Sequence, residues 1–164
     1  MSDSAERALE VLLHADQEPI VEMVLRSGGP DRYEAFAHDG SVAFRRVAGG
    51  FSVDTVTGRN PLGDQAIDRF AGIDAELAGL HPRRTHNSYP HGYEQVAQLF
   101  DHPAAPDLCV LHSASHYWGD QGGHIGEHGS IDVIQARAPF VIAGAGVARL
   151  GMVNRACRLV DIAP

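Results

Sequence analysis

The chain has 164 residues and a formal net charge of −8 at pH 7; 44 % of its residues are hydrophobic and 21 % are charged. This balance is typical of globular proteins and excludes a disordered, collagen-like or disulfide-scaffold chain. The acidic charge argues against nucleic acid as a partner, because binding to a phosphate backbone needs a basic face. Eight of the ten histidines lie between His81 and His128, and this region therefore holds the first candidates for functional residues.

The N-terminal residues carry no recognisable targeting signal. The apolar run Leu9–Leu13 is too short for a signal peptide or a membrane span. The sequence as given therefore predicts a cytoplasmic protein without a membrane partner, and an extracytoplasmic location is the alternative if it is part of a longer chain. Cys109 and Cys157 match no metal or redox spacing, and we expect them to be buried, reduced thiols.

Residues 1–100 predict a small, cap-like α+β region. A helix is predicted over 4–14, with Ser4 as its N-cap. Asp39-Gly40 is a strong hairpin signal between two alternating runs. Strands of an antiparallel meander are predicted over 20–26, 33–37, 42–47 and 51–56, and two further helices over 64–80 and 93–100.

Residues 101–164 have a different character and predict part of an α/β core, a sheet flanked by helices. The segments 107–113 and 138–143 are almost continuously apolar, which is typical of strands buried on both faces. Residues 159–164 begin a further segment. Helices alternating with buried strands indicate an α/β layer.

The loop over 115–130 carries the candidate chemistry. Residues 116–129 contain three histidines, one aspartate, one glutamate and five glycines. Imidazole and carboxylate together suit Zn²⁺ or a similar metal, and the loop follows the end of a predicted buried strand, where α/β sheets place ligands. His112 and His116 are candidates to line this site. The alternative is a surface loop with solvated histidines.

His124-Ile-Gly-Glu127-His128 matches the inverted zinc-protease pattern. That chemistry requires both histidines on one face of a stable helix. Glycines surround and interrupt the segment, and each costs roughly 1 kcal/mol inside a helix. We therefore do not interpret this segment as a protease motif.

Three motifs follow one another in the C-terminal part of the chain. They are Gly126-Glu-His128-Gly, then Arg137-Ala-Pro139 leading through an apolar run to Gly144-Ala-Gly146, and Val160-Asp-Ile-Ala-Pro164. In this order they resemble the C-terminal part of the alkaline phosphatase superfamily, in its type I phosphodiesterase/nucleotide pyrophosphatase or sulfatase-like branches. The resemblance implies a hydrolase of small-molecule phosphate or sulfate esters that uses two divalent metals, usually zinc.

The resemblance also assigns candidate ligands. His128 takes the place of a metal-binding histidine of the family. Asp120 and His124 are further candidates, although the two family patterns that they fit exclude each other. Glu127, Asp132 or a backbone carbonyl is a candidate to orient the His128 ring, since a metal-bound imidazole usually donates its second N–H.

The sequence also differs from the family pattern in ways that limit the predicted activity. No threonine or serine stands beside an aspartate after an apolar strand, so the nucleophile is not recognised and no catalytic residue is assigned. Gln121 stands where a metal-binding histidine is expected. We therefore expect a partial hydrolase core, inactive alone, that pairs with a missing N-terminal segment or forms a homo-oligomer. The alternative is a non-catalytic metal- or ligand-binding module on the same fold.

Overall fold

The computed structural model describes residues 3–68, 88–113, 116, 130–136 and 138–153. Its helices and strands, in chain order, are α1 (Asp3–Leu12), β1 (Val21–Gly29), β2 (Arg32–Ala37), β3 (Gly40–Val47), β4 (Gly50–Gly58), α2 (Gly92–Phe100), β5 (Leu108–His112) and α3 (Val133–Ala136). In the described part, the strands form one antiparallel sheet in the order β4-β3-β2-β1-β5. The fold is thus α/β, with an antiparallel five-stranded sheet and few helices.

The predicted meander is confirmed as β1 to β4. The β2–β3 hairpin turns through His38 and Asp39, so that Ala37 pairs with Gly40, where the Asp-Gly signal placed it. The β3–β4 hairpin turns through Ala48-Gly49. Gly49 has a φ of 84°, which side chains with a Cβ rarely adopt. Local turn chemistry therefore sets the register of these strands.

One face of the sheet packs against α2 through an aromatic cluster. Phe44 is only 1 % exposed, and its ring lies edge-on to Tyr93 of α2, with 4.8 Å between the ring centroids. Tyr33 and Phe51 lie 5.4 and 5.8 Å from the same ring. Edge-to-face aromatic pairs add about 0.5–1.5 kcal/mol to the energy of burial, so this cluster fixes α2 on the sheet.

The opposite face packs against α1. Leu9 lies over Val21 and Val24, and Leu12 and Leu13 pack against the same cluster as part of one apolar stripe. The helix ends two residues earlier than predicted, and a 3₁₀ turn over Ala15–Gln17 follows it. His38 closes this connection, because its Nδ1 lies 3.1 Å from the Leu13 carbonyl oxygen and its Nε2 lies 3.0 Å from that of Val21.

The apolar run over 107–113 forms a strand, β5, in a place that the sequence did not predict. It pairs antiparallel with β1, with Val24 opposite Val110, and so belongs to the same sheet as the meander. Its apolar character fits this position, since Leu111 and Cys109 face one core cluster and Leu108 and Val110 the other. Burial raises the pKa of the half-buried Cys109 thiol. The strand-end rule for parallel sheets, used above to place the site, therefore does not apply to β5.

Two predicted elements differ from the structure. The buried strand predicted over 138–143 is wrong, because this segment is irregular and its side chains are exposed, Val141 by 82 %. A strand needs a neighbour to satisfy its backbone groups, and none of the described strands lies beside it. The helix predicted over 64–80 does not include 64–68, which form turns and a bridge from Asp68 to Gly50. Residues 69–80 lie outside the described part.

Within the described ranges, no helix is long and apolar enough to cross a membrane.

Candidate functional site

The three predicted metal ligands, Asp120, His124 and His128, lie outside the described residues, and so does Gln121. Their assignment stays a prediction. The structure does describe both ends of the loop that carries them, because β5 leads into the loop and α3 follows it. These two ends, around Ser113 and Asp132, are the anchors of the loop.

The first anchor is Ser113, directly after β5. Its backbone N–H donates to the Ile20 carbonyl at 2.7 Å, and its hydroxyl donates to the Pro19 carbonyl at 2.9 Å. The Ser113 carbonyl accepts the His116 backbone N–H at 3.0 Å. These bonds fix the chain at the loop entrance against the segment that leads into β1.

The Ser113 hydroxyl can be compared with the serine or threonine nucleophile that the alkaline-phosphatase-like pattern requires. Its hydroxyl oxygen lies 2.8 Å from Nδ1 of His116, a distance seen in serine–histidine pairs of hydrolases. The hydroxyl proton, however, goes to the Pro19 carbonyl oxygen, which can only accept. His116 therefore donates to Ser113, and this polarity is the opposite of what an activated serine needs. In this arrangement Ser113 positions the His116 ring and the start of the loop.

The second anchor is Asp132, the residue directly before α3. Its side chain is 1 % exposed, and Oδ1 accepts the Ile134 backbone N–H at 2.9 Å. The Asp132 backbone N–H donates to the Ser130 hydroxyl at 3.1 Å, and Gln135 accepts the Ser130 N–H at 3.2 Å. Asp132 is thus the N-cap of α3, and the Gln135 side chain binds the N–H of Ser130, two residues before the cap.

The second anchor is tied to the rest of the molecule through Ser88. The Val133 N–H donates to the Ser88 carbonyl at 2.8 Å. The Ser88 backbone N–H and hydroxyl both donate to Oδ2 of Asp64, each at 2.8 Å. Burial raises the pKa of Asp64, but hydrogen bonds from Gln65 and Ser88 outweigh it, so that the pKa lies below the ordinary value. The carboxylate is thus held in its charged form.

Two tyrosine hydroxyls join the same region to β1 and to the turn after β4. Tyr89 donates to Oε1 of Glu22 on β1 at 2.7 Å. Tyr93 accepts from the Asn60 amide at 3.1 Å, and its pKa is raised by burial although the bond from Asn60 lowers it. Both ends of the histidine-rich loop are therefore attached to one packed body.

The described part of the chain holds no group of three or more His, Cys, Asp or Glu residues that would bind a metal. His112 and His116, predicted to line the site, do lie together at the loop entrance, and imidazole is a ligand that zinc prefers. The donor chemistry present thus fits zinc, but the described residues do not complete a site.

A cavity of about 340 Å³ lies elsewhere, between α1, β1 and the turn after α2. Arg26 lines it and is paired with Glu6 at 3.1 Å and with Glu34 at 2.5 Å, while its guanidinium carbon lies 4.9 Å from the Phe36 ring centroid. Two carboxylates thus balance the charge of Arg26. An anion entering this cavity would meet a neutralised arginine.

Sequence reasoning missed Ser113 as an anchor, since a serine after an apolar run has no distinctive signal. The cap at Asp132 did have one, because Asp followed three residues later by Gln is typical of a helix start. Comparison of the chain with protein-family models, with curated proteins and with solved structures found no match.

Proposed function

We propose that this chain is part of a metal-dependent hydrolase of phosphate or sulfate esters, with the alkaline-phosphatase-like motifs around His128 contributing to its metal centre. The observation that carries the proposal is the anchoring of the histidine-rich loop at both ends, by Ser113 and Asp132. A loop that only solvates histidines does not require hydrogen-bonded anchors on both sides. A metal site does, because its ligands have to be held in a fixed geometry.

Zinc bound by His128 would polarise the ester oxygen and stabilise the charge on the attacking and leaving oxygens. The protein's own contribution is to hold the ligands through the fixed ends of the loop. We propose that the nucleophile lies outside the described residues. Ser113 does not fit that role, because its hydroxyl donates to the Pro19 carbonyl and accepts from His116.

The exposed apolar segment 138–153 supports the need for a further segment. Its side chains include Phe140, Val141 and Ile142, all more than half exposed, followed by Leu150 and Met152 at 73 % and 92 %. So many exposed apolar side chains in one short segment favour an interaction surface. We propose that a missing core segment or a second copy of the chain covers it.

The test is zinc content and turnover of the full chain. We expect bound zinc by elemental analysis, and at least a tenfold loss of zinc affinity in His128→Ala. His102→Ala is the matched control, since His102 is exposed and its Nδ1 accepts the Ala104 N–H at 3.1 Å. Hydrolysis of p-nitrophenyl phosphate, bis-p-nitrophenyl phosphate and p-nitrophenyl sulfate then identifies the ester class.

Zinc with turnover that is lost in His128→Ala supports the hydrolase. Zinc without turnover, even when a nucleophile-bearing segment is added, supports the non-catalytic binding module, which the polarity of Ser113 also favours. A chain that binds no zinc, and whose His128→Ala variant behaves as wild type, would rule out both functions.

A further inference from the structure

The segment 138–143 has the sequence of a buried strand but is not paired in the structure. Phe140, Val141 and Ile142 are 51 %, 82 % and 61 % exposed. Among the described residues, no backbone group of this segment is hydrogen-bonded to another backbone group. An apolar segment with β-branched residues and unpaired backbone groups is able to add as a strand to the edge of a sheet.

The sheet ends at β5 before the apolar residues of that strand are fully covered. Val24 and Leu25 of β1 are both 0 % exposed. Their partners on β5, Val110 and Cys109, are only partly buried, although they belong to the two core clusters on opposite faces of the sheet. None of the described strands pairs with the outer edge of β5. One more apolar strand at this edge would complete the burial of both faces.

The other edge of the sheet, β4, fits an apolar strand less well. Residues 53–58 are exposed, and Asp54 forms ion pairs with Arg32 and Arg45. The register between β3 and β4 also shifts at this place. Charged side chains and bulges oppose the addition of a strand to an edge. The edge that matches the apolar character of 138–143 is therefore β5.

We infer that the chain forms a dimer in which residues 138–143 of each copy add as a strand to β5 of the other copy. The chain carries both the apolar strand and the edge that fits it, yet the two are not paired within one copy. Exchange of an identical element between two copies closes as a two-fold dimer, because each copy gives one strand and receives one.

This dimer goes beyond the proposed hydrolysis and does not depend on a metal centre. It assigns the apolar segment to a second copy rather than to a missing core segment. Each side of the assembly would become a six-stranded sheet, in which β5 has a neighbour on both edges.

Sedimentation equilibrium of the full chain in EDTA measures the dimer independently of any bound metal. We expect wild type to dimerise, and Val141→Asp to weaken the dimer at least tenfold, because the exchange would bury an unpaired charge. Met152→Asp is the matched control, since Met152 is 92 % exposed and lies outside 138–143, and it should dimerise as wild type does. Circular dichroism verifies that each variant is folded, and Val141→Ser replaces Val141→Asp if that variant is not.

A mixed disulfide between two different variants identifies the strands in contact. In a Cys157→Ser background, a tagged chain carries Val141→Cys with Cys109→Ala, and its partner keeps only Cys109. Each chain then has one thiol, so that a mixed disulfide joins two copies. Facing residues on adjacent strands have Cβ atoms about 4.5–5.5 Å apart, and neighbours along a strand point to opposite faces. We expect the disulfide with either Val141→Cys or Ile142→Cys, and not with Met152→Cys.

Four results would overturn this inference. A monomeric wild-type chain would favour a missing core segment as the cover of 138–153. A dimer that Val141→Asp leaves unchanged would be held together elsewhere. Equal mixed disulfides at Val141, Ile142 and Met152 would show that no ordered strand lies on β5. Assemblies larger than a dimer would exclude reciprocal exchange. None of these results depends on zinc, so the proposed function is tested separately.

Discussion

Asp132→Ala tests whether the loop that carries the candidate ligands is held by a helix cap. Asp132 is buried, and its Oδ1 accepts the Ile134 backbone N–H at 2.9 Å. Alanine removes that acceptor and leaves a backbone donor unsatisfied in the first turn of α3. Loss of an N-cap costs about 0.5–2 kcal/mol, and hydrogen bonds to a charged group contribute about 1.5–3 kcal/mol. We therefore expect a loss of about 2 kcal/mol in the free energy of unfolding.

The matched variant is Asp132→Asn, because asparagine caps helices about as well as aspartate. Thermal unfolding followed by circular dichroism measures both variants. For a chain of this size, 1 kcal/mol shifts the melting temperature by about 2–4 °C. We expect Asp132→Ala to melt about 4–8 °C below wild type, and Asp132→Asn to remain within about 3 °C.

Two results would refute this reasoning. An Asp132→Ala variant that melts with wild type would mean that the cap does not hold α3. If Asp132→Asn is destabilised as much as Asp132→Ala, the negative charge of Asp132 matters rather than its capping geometry. The zinc affinity of the same variants then reports whether the anchor also orders the loop, and we expect a reduction in Asp132→Ala.

Three further predictions concern the body that carries the loop. Phe44→Ala opens a cavity among three aromatic rings and should lower the free energy of unfolding, measured in urea, by about 3–5 kcal/mol. Val53→Ala, at a partly exposed position, should lower it by less than about 1 kcal/mol. Equal losses would contradict the assigned core. Tyr89→Phe removes the donor to Glu22 and should cost about 1–3 kcal/mol, and a neutral result would show that this bond is not formed. The folded pKa of Asp64 lies below its ordinary value of 3.8, so its charged form stabilises the fold above that pH, and this stability is lost as pH falls through the folded pKa. Asp64→Asn should therefore lower the free energy of unfolding at pH 7 by about 1 kcal/mol, a value reduced for solvent screening, and flatten the decline in stability below pH 4. An unchanged pH profile of stability would refute this prediction.

Prediction from sequence succeeded where short-range signals decide the structure. The Asp39-Gly40 turn and the alternating runs beside it fix the β2–β3 hairpin, and the stripe that includes Leu9 gives α1 its buried face. Each of these elements depends on residues that are close along the chain. The predicted helix over 93–100 is confirmed for the same reason, within one residue of α2.

Prediction failed where the neighbour of a segment is distant in the sequence. An apolar run such as 107–113 indicates burial on both faces, but it does not tell which strand lies beside it. The same apolar pattern over 138–143 is exposed, because no described strand pairs with it. For the candidate site, the sequence pointed to the loop but not to the hydrogen bonds of Ser113, which depend on the path of the chain before β1.

The sheet order β4-β3-β2-β1-β5 has a consequence for the order of folding. The meander pairs neighbours that are linked by two-residue turns, so it can form as soon as β4 has been synthesised. The β1–β5 ladder, with Val24 opposite Val110, closes a far longer loop, whose entropic cost rises with the logarithm of its length. Contacts of this separation slow folding. We therefore expect the free edge of β1 to stay open until α2 and β5 arrive.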